Sequence, residues 1–265
     1  MTGPDFVVAG PPEAGGLRLA AMLADHPALG LGGTAPSAES ARATDSASRQ
    51  QGELAPYLLA DFTAARRLHE SVAYPRLLVT LRDPVDRAYA AWLRARAVGA
   101  EPLAEFAAAL AAEPARAAAG CDWTWRYAEL GQYGRQLRRL YTLYSPSQVL
   151  LVRYSDLLAA PADARDRAYA FLGVRERHAD GSRLDLPPAA GPRHTASTVR
   201  SESHPGTVGG PAAALSSLPG GAPPDARERA IGLFRVDIQL LESVTRRPFA
   251  DWLMTTGEPA TAPHG

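Results

Sequence analysis

The first 24 residues predict a strand, a tight turn and a helix, and this unit constrains the fold more than any other part of the chain. The apolar run at residues 6–10 predicts a buried strand. Residues 11–16 form a Gly- and Pro-rich turn, and residues 17–24 open a helix. Such a turn points backbone N–H groups and the positive end of a helix toward a bound anion. The unit therefore has the shape of a phosphate-binding loop.

The side chains of this loop have the wrong charge for nucleotide phosphates. A loop that binds them usually adds a Lys and a hydroxyl residue. Here Glu13 stands near the Lys position, and no Ser or Thr follows it. The chain contains no Lys, so its 28 basic residues are all Arg, and 28 acidic residues balance them. A net charge of zero argues against general binding to nucleic acid or to an anionic membrane.

The remaining pattern alternates strands with helices and predicts a parallel sheet with helices on both faces. We expect further strands at residues 29–31, 76–81 and 148–152, and helices at 61–71, 84–97, 102–112, 122–144, 162–172 and 225–244. This is an α/β fold in a single domain over residues 1–254. Within it we expect a polar loop at 33–52 and a Pro-, Gly- and Ser-rich excursion at 176–224, followed by a flexible tail at 255–265.

Other classes of protein are disfavoured by what the sequence lacks. No run of 18 apolar residues predicts a transmembrane helix, and the N-terminus lacks the features of a secretion signal, so the expected location is the cytoplasm. The single Cys121 excludes an intrachain disulfide framework. No His pair has metal-ligand spacing with carboxylates, so we predict no metal. The sequence leaves the oligomeric state open, a homodimer included.

A second charged group lies where the predicted strand at 76–81 ends and the next helix begins. Arg82 follows the strand directly, and Arg87 lies five residues further on. Ligands in open α/β sheets bind at the carboxyl ends of strands, and guanidinium groups suit phosphate or sulfate oxygens. An ion pair between Arg82 and Asp83 at the start of the helix is an equally good interpretation.

Several stretches together resemble the PAPS-dependent sulfotransferase family, small-molecule type, in which PAPS is 3′-phosphoadenosine 5′-phosphosulfate. The matching stretches are residues 8–27 (the 5′-phosphosulfate loop and its helix), 52–58 (Gly-Glu-x-Ser-Pro-x-Tyr-Leu, with one residue fewer), 81–92 (the 3′-phosphate motif), 131–137 with 149–157, and the closing pattern at 234–252. The resemblance implies a P-loop-like sulfotransferase fold. It also implies that Arg82 would grip a 3′-phosphate.

The resemblance and the residue chemistry together give a set of candidate site residues. The candidates for cofactor binding are Gly15, Gly16, Arg18, Arg82, Arg87 and, in a segment that resembles the family's late loop, Arg193. The candidate catalytic residues are Glu13, Glu53 and His194, the last because a loop His suits acid–base work near neutral pH. The aromatic residues Trp123, Tyr127 and Tyr133 are candidates for a substrate pocket, a placement that core packing explains equally well.

The departures from the family fall on the cofactor contacts. The family loop reads roughly Pro-Lys-Ser-Gly-Thr-Thr, whereas residues 12–17 are Pro-Glu-Ala-Gly-Gly-Leu, and Ala90 stands where the family has a Ser. A carboxylate ~4 Å from a phosphate charge is repelled by up to about 4 kcal/mol at an effective dielectric constant near 20. The loop therefore predicts weak PAPS binding, unless Arg18 swings back over the donor.

Three functional hypotheses follow from this conflict. We favour an enzyme of natural-product biosynthesis that has lost PAPS dependence, needs no cofactor and performs an acid/base cyclisation, isomerisation or elimination. The alternative is a PAPS-dependent sulfotransferase that acts on a hydroxyl or amine of a small molecule. A non-catalytic protein that kept only the scaffold is the third hypothesis, because a fold does not fix a function.

Overall fold

A computed structural model describes residues 3–32, 49–174 and 221–254, and a five-stranded parallel sheet forms its centre. The strands are β1 (Phe6–Ala9), β2 (Leu29–Leu31), β3 (Gln50–Ala55), β4 (Arg76–Leu81) and β5 (Val149–Arg153). They lie in the order β2-β3-β1-β4-β5, and each neighbouring pair is parallel. The predicted α/β fold with a central parallel sheet is confirmed. Since β1 is the middle strand, the loop that follows it lies between the carboxyl ends of β3 and β4.

Helices cover both faces of this sheet. They are α1 (Gly16–Ala24), α2 (Phe62–Ser71), α3 (Pro84–Ala97), α4 (Phe106–Ala118), α5 (Tyr133–Leu140), α6 (Tyr154–Ala159), α7 (Pro161–Leu172), α8 (Pro224–Ile231) and α9 (Arg235–Thr245). Alternate residues of β1 enter two separate cores, as the strand period of two requires. Phe6 and Val8 pack with α1 and α7, whereas Val7 and Ala9 pack with α3, α5 and α9. The helices predicted at 61–71, 84–97 and 162–172 are confirmed as α2, α3 and α7.

Strand β3 corrects the predicted boundary of the polar loop at 33–52, because Gln50–Ala55 is a strand inside the sheet. The sequence hides this strand, since its residues are mostly polar and only Gly52 is fully buried. A Cβ at Gly52 would lie 2.2 Å from the Phe6 ring, so the glycine lets that ring cover the strand. The other predicted loop residues, 33–48, lie outside the described residues, as do 175–220 and the tail at 255–265.

The single helix predicted at residues 122–144 is wrong. The structure has two 3₁₀ turns, Trp123–Trp125 and Glu129–Gly131, and then the short helix α5. Buried carboxylates take the backbone N–H groups that a continuous helix would bond internally. Glu113 accepts from two consecutive N–H groups in the second turn at 2.6 and 2.7 Å, and Asp237 accepts from two near the start of α5 at 2.7 and 2.9 Å. The helix predicted at 225–244 is likewise divided, into α8 and α9.

Candidate functional site

The loop between β1 and α1 is a tight left-handed turn packed against β4. Gly10, Glu13 and Gly15 have φ values of 122°, 69° and 95°. A Cβ on Gly10 would lie 2.4 Å from the Thr80 carbonyl oxygen, so only glycine allows this approach. Gly15 is the N-cap residue of α1 and provides no side-chain cap. Gly16 is the first residue of the helix, and both glycines thus lie at its positive end.

The charge of this loop is balanced by the neighbouring helix α3. The Oε1 atom of Glu13 lies 2.6 Å from Nε of Arg94. Both side chains are partly accessible, with 15% exposure for Glu13 and 30% for Arg94. The loop therefore presents an ion pair at the position where the resemblance implies a lysine.

Arg82 joins the same loop from the end of β4. Its Nη1 donates a hydrogen bond of 3.2 Å to the carbonyl oxygen of Glu13, and its guanidinium lies 4.6 Å from the centre of the Tyr154 ring. Tyr154 is the first residue of α6. Arg82 is 5% exposed, so these contacts hold a nearly buried cation beside the loop.

Asp83, the alternative partner considered for Arg82, forms a buried ion pair with Arg227 of α8. Asp83 Oδ1 also accepts the backbone N–H groups of Val85 and Asp86 and so caps α3. Arg227 extends to Asp86, whose carboxylate lies 3.2 Å away. Burial raises the pKa of Asp83, although the bond from Arg227 acts in the opposite direction. The sequence missed this residue because nothing local marks an arginine that lies more than 140 positions away.

Arg87 lies on the inner side of α3 and is fully buried. It donates a hydrogen bond to the backbone carbonyl of Tyr127, and its Nε and Nη1 atoms have no hydrogen-bond partner within the described part of the chain. Burial lowers the pKa of Arg87, while Tyr133 and the carboxylates of Glu113 and Glu13 act in the opposite direction. The structure thus brings two of the predicted cofactor residues, Arg82 and Arg87, to the same strand end as Glu13.

The three aromatic candidates do not share one surface. Trp123 stacks with the Arg126 guanidinium at 4.3 Å and is partly exposed. Tyr127 and Tyr133 are each 1% exposed and belong to the main core. The Tyr127 hydroxyl donates to Glu101 at 3.0 Å. Burial is the main cause that raises the pKa of both tyrosines. Their role in a substrate pocket stays a prediction.

The other predicted residues lie on β3, on α1 or outside the described residues. Glu53 is an exposed residue in the middle of β3, opposite Val7 in the register. Arg18 is partly buried in the first turn of α1. His194 and Arg193 fall in the segment that is not described. No group of three or more His, Cys, Asp or Glu residues among those described is arranged to hold a metal, and no described helix has the length and apolar character of a membrane span.

The structure adds two residues to the site, Arg94 and Tyr57. Tyr57 follows the end of β3, and Ala55 at that end lies opposite Ala9 of β1 in the register. Tyr57 therefore belongs to the strand edge that carries Glu13. Burial is the main cause that raises the pKa of Tyr57; Glu13 adds to this rise, whereas Arg94 opposes it. The motif at 52–58 gave a signal for Tyr57, whereas no motif marks Arg94.

Comparisons with known proteins agree with this architecture. Residues 53–183 match the family model described as the sulfotransferase domain. The crystal structure of a sulfotransferase from Alicyclobacillus acidocaldarius superposes with a TM-score of 0.69 at 22% identity, over 95% of this chain and 99% of that one. The family match, which spans about half of the chain, and the shared fold together support assignment of the chain to the sulfotransferase family.

Two further solved structures are more distant. The sulfotransferase domain from the curacin biosynthetic pathway gives a TM-score of 0.43 at 14% identity, over 67% of this chain and 77% of that one. The sulfotransferase domain of the Synechococcus PCC 7002 olefin synthase gives 0.43 at 15% identity, over 66% and 75%. No curated protein matches the chain. The loop at residues 10–16 lies outside the segment that matches the family model.

Proposed function

We propose that this sulfotransferase-family protein does not use PAPS and instead performs an acid/base reaction on a small-molecule intermediate of natural-product biosynthesis. The observation that carries the proposal is the ion pair of 2.6 Å between Glu13 and Arg94 in the first loop. A carboxylate occupies the position at which the resemblance implies a phosphate-binding lysine. The charge of Arg94 is also paired with Glu13 of the same protein rather than with a ligand.

The described residues do not fit the 5′-phosphosulfate end of PAPS. The loop supplies neither the lysine nor the hydroxyls that the resemblance implies, and each lost charge-assisted hydrogen bond costs about 1.5–3 kcal/mol. Arg82 already donates to the Glu13 carbonyl and packs on Tyr154. A bound nucleotide would have to compete with these contacts, so we derive no step through PAPS.

The same geometry suits proton transfer. The Glu13 carboxylate is partly exposed after the end of β1 and forms an ion pair with Arg94. It can accept a proton from one atom of a substrate and return that proton to another atom, so an isomerisation or a cyclisation needs no co-reactant. Tyr57 lies at the same strand edge, and its raised pKa keeps the hydroxyl protonated, so it can donate a hydrogen bond to the substrate.

Calorimetry with adenosine 3′,5′-bisphosphate, the desulfated cofactor, tests this proposal. We expect no binding heat up to about 1 mM ligand, with a folded sample verified by circular dichroism. The matched variant is the charge swap Glu13→Lys with Arg94→Glu, which keeps an ion pair and restores the lysine. Nucleotide binding that appears only in the swapped protein would assign the loss to the loop charge. Micromolar binding to the wild type, abolished by Arg82→Ala, would contradict the proposal.

A PAPS-dependent sulfotransferase is the second candidate. It is favoured by the left-handed glycines before α1 and by Arg82, which lies where the resemblance implies a 3′-phosphate contact. This candidate requires the outcome just named, with wild-type binding that depends on Arg82. It also predicts that Glu13→Gln strengthens nucleotide binding, because the substitution removes a negative charge from the loop. A folded Glu13→Gln variant that binds no nucleotide would remove this candidate.

A further inference from the structure

A separate cavity of about 180 Å³ lies between α5 and the segment after β3. Its lining residues are Ala60, Glu129, Gln132, Arg135, Gln136, Arg138 and Arg139. The three arginines lie on one face of the helix, because they are spaced by three and four positions. Tyr133 of the same helix is in the core. Burial raises its pKa, whereas the charges of Arg87 and Arg82 on the candidate-site side lower it. Helix α5 therefore separates this cavity from the candidate site.

The positive charge of the cavity is only weakly balanced by the described residues. Arg135 lies 3.9 Å from Asp237, a carboxylate that already accepts two backbone N–H groups. Arg138 is exposed and has no ion pair or hydrogen bond within the described ranges. The one acid in the lining, Glu129, pairs with Arg126 at 3.1 Å. Like charges at this helical spacing destabilise a helix, so a bound anion would relieve an existing repulsion.

Arg139 and Gln136 add directional groups to the lining. Arg139 donates only one described hydrogen bond, of 3.3 Å, to the Ala60 carbonyl. Gln136 is 4% exposed, and its Nε2 donates to the Glu129 carbonyl at 2.7 Å, which fixes the orientation of the amide. Its Oε1 has no donor among the residues that the structure describes. Leaving a buried acceptor unpaired is unfavourable, so the cavity suits a ligand that has a proton to donate.

The size of the cavity limits the ligand. Pockets for drug-sized molecules measure roughly 300–1,000 Å³, so a cavity of about 180 Å³ suits a much smaller group. We propose that it binds a tetrahedral oxyanion, preferably a protonated phosphate, as the free ion or as the end of a small phosphate monoester. Arginine N–H groups bind the oxyanion oxygens in pairs, and the phosphate hydroxyl donates to Gln136. The proposal is independent of the reaction at Glu13.

Calorimetric titration with inorganic phosphate tests the site, with ionic strength held constant by sodium chloride. We expect millimolar or tighter binding to the wild-type protein and at least about tenfold weaker binding to Arg138→Gln, since one charged partner is lost. Arg138 is exposed and unpaired among the described residues, so this substitution leaves the fold intact. The matched control is Arg229→Gln, which removes an exposed arginine from the last turn of α8 and is expected to bind like the wild type.

Two comparisons identify the anion and its place. Sulfate is fully deprotonated at neutral pH and is expected to bind more weakly than phosphate; equal affinity would contradict the role of Gln136. Glycerol 3-phosphate binding more tightly than phosphate would assign a monoester, and weaker binding would assign the free ion. Equal phosphate affinity in the wild type and in Arg138→Gln would overturn the proposal. Binding that is abolished by Arg82→Ala but not by Arg138→Gln would place the anion at the first loop and would overturn it as well.

Discussion

Replacement of Arg227 by methionine tests the buried network that fixes the start of α3. Arg227 is 1% exposed and bonds both oxygens of Asp83, while its Nε donates to the Met254 carbonyl at 2.7 Å. Methionine keeps much of the side-chain volume and removes the charge. Asp83 is 0% exposed and Asp86, the second partner of Arg227, is 1% exposed, so the substitution leaves two buried carboxylates without this cation. Loss of one partner of a buried ion pair costs about 3–5 kcal/mol.

Such a cost is a large share of the total stability, which is about 5–15 kcal/mol for a typical domain. We expect urea denaturation at pH 7 to show a loss within this range. Arg229→Gln, two residues away on the exposed side of α8, is the control and is expected to change stability by less than about 0.5 kcal/mol. Adding Asp83→Asn to Arg227→Met removes one of the two carboxylate charges left without Arg227 and is expected to recover about half of the loss.

The pH dependence gives a second, independent readout. Burial raises the pKa of Asp83 in the folded protein, and loss of the Arg227 hydrogen bond raises it further. A raised pKa in the folded state means that the protonated carboxyl is tolerated and that stability falls as pH rises through that pKa. The deficit of Arg227→Met is therefore expected to be smaller at about pH 5 than at pH 7. A deficit below about 1 kcal/mol at pH 7, or one independent of pH, would refute the reasoning.

Two further predictions concern the turn before α1 and a buried acid. Gly10→Ala is expected to lower the free energy of unfolding by more than about 2 kcal/mol, because its Cβ would lie 2.4 Å from the Thr80 carbonyl oxygen. The control is Gly99→Ala, which is also at positive φ but in open space and should lower it by about 1 kcal/mol. Equal urea midpoints for the two variants would contradict this prediction. Burial raises the pKa of Glu101, but hydrogen bonds led by that from Arg116 lower it overall. Its stabilisation is therefore lost as pH falls, so the advantage of the wild type over Glu101→Gln should shrink toward about pH 3, and a constant advantage would be inconsistent with these bonds.

The apolar strands and the capped helices of this fold were predictable from local sequence. Strand β4 is a continuous apolar run, and α3 begins with Pro84 after the capping residue Asp83. Strand β3 was not predicted, because a polar strand shows no alternation of apolar and polar residues. Its burial depends on the ring of Phe6, which lies over Gly52. The break in the helix after residue 122 was not predicted, because Asp237, far along the chain, accepts hydrogen bonds from its backbone N–H groups. Local sequence patterns do not predict the backbone conformation where side chains distant in the sequence determine it.

The residues of the candidate site also divide into those that local sequence marks and those that only tertiary contacts bring to the site. Glu13 and Arg82 could be predicted as candidates from the sequence because a turn and a strand end place them at the sheet edge. Arg94 was not found, since an ion pair between a loop and a helix more than 80 residues later has no sequence period. Tyr57 was visible within a motif, yet its link to Glu13 depends on the pairing of β3 with β1, and β3 was the strand that the sequence concealed.

The ion pair at Glu13 changes how the charge of the loop should be weighed. On sequence alone, the carboxylate gives the loop one uncompensated negative charge, and repulsion of a phosphate decides against the donor. In the structure Arg94 cancels that charge at 2.6 Å, and Arg82 and Arg87 lie buried beside the loop. Long-range repulsion is therefore a weak reason to exclude a nucleotide. Our proposal depends instead on a local reason, because the lysine and the hydroxyls that the resemblance implies are absent from the loop and Arg82 already donates to the Glu13 carbonyl.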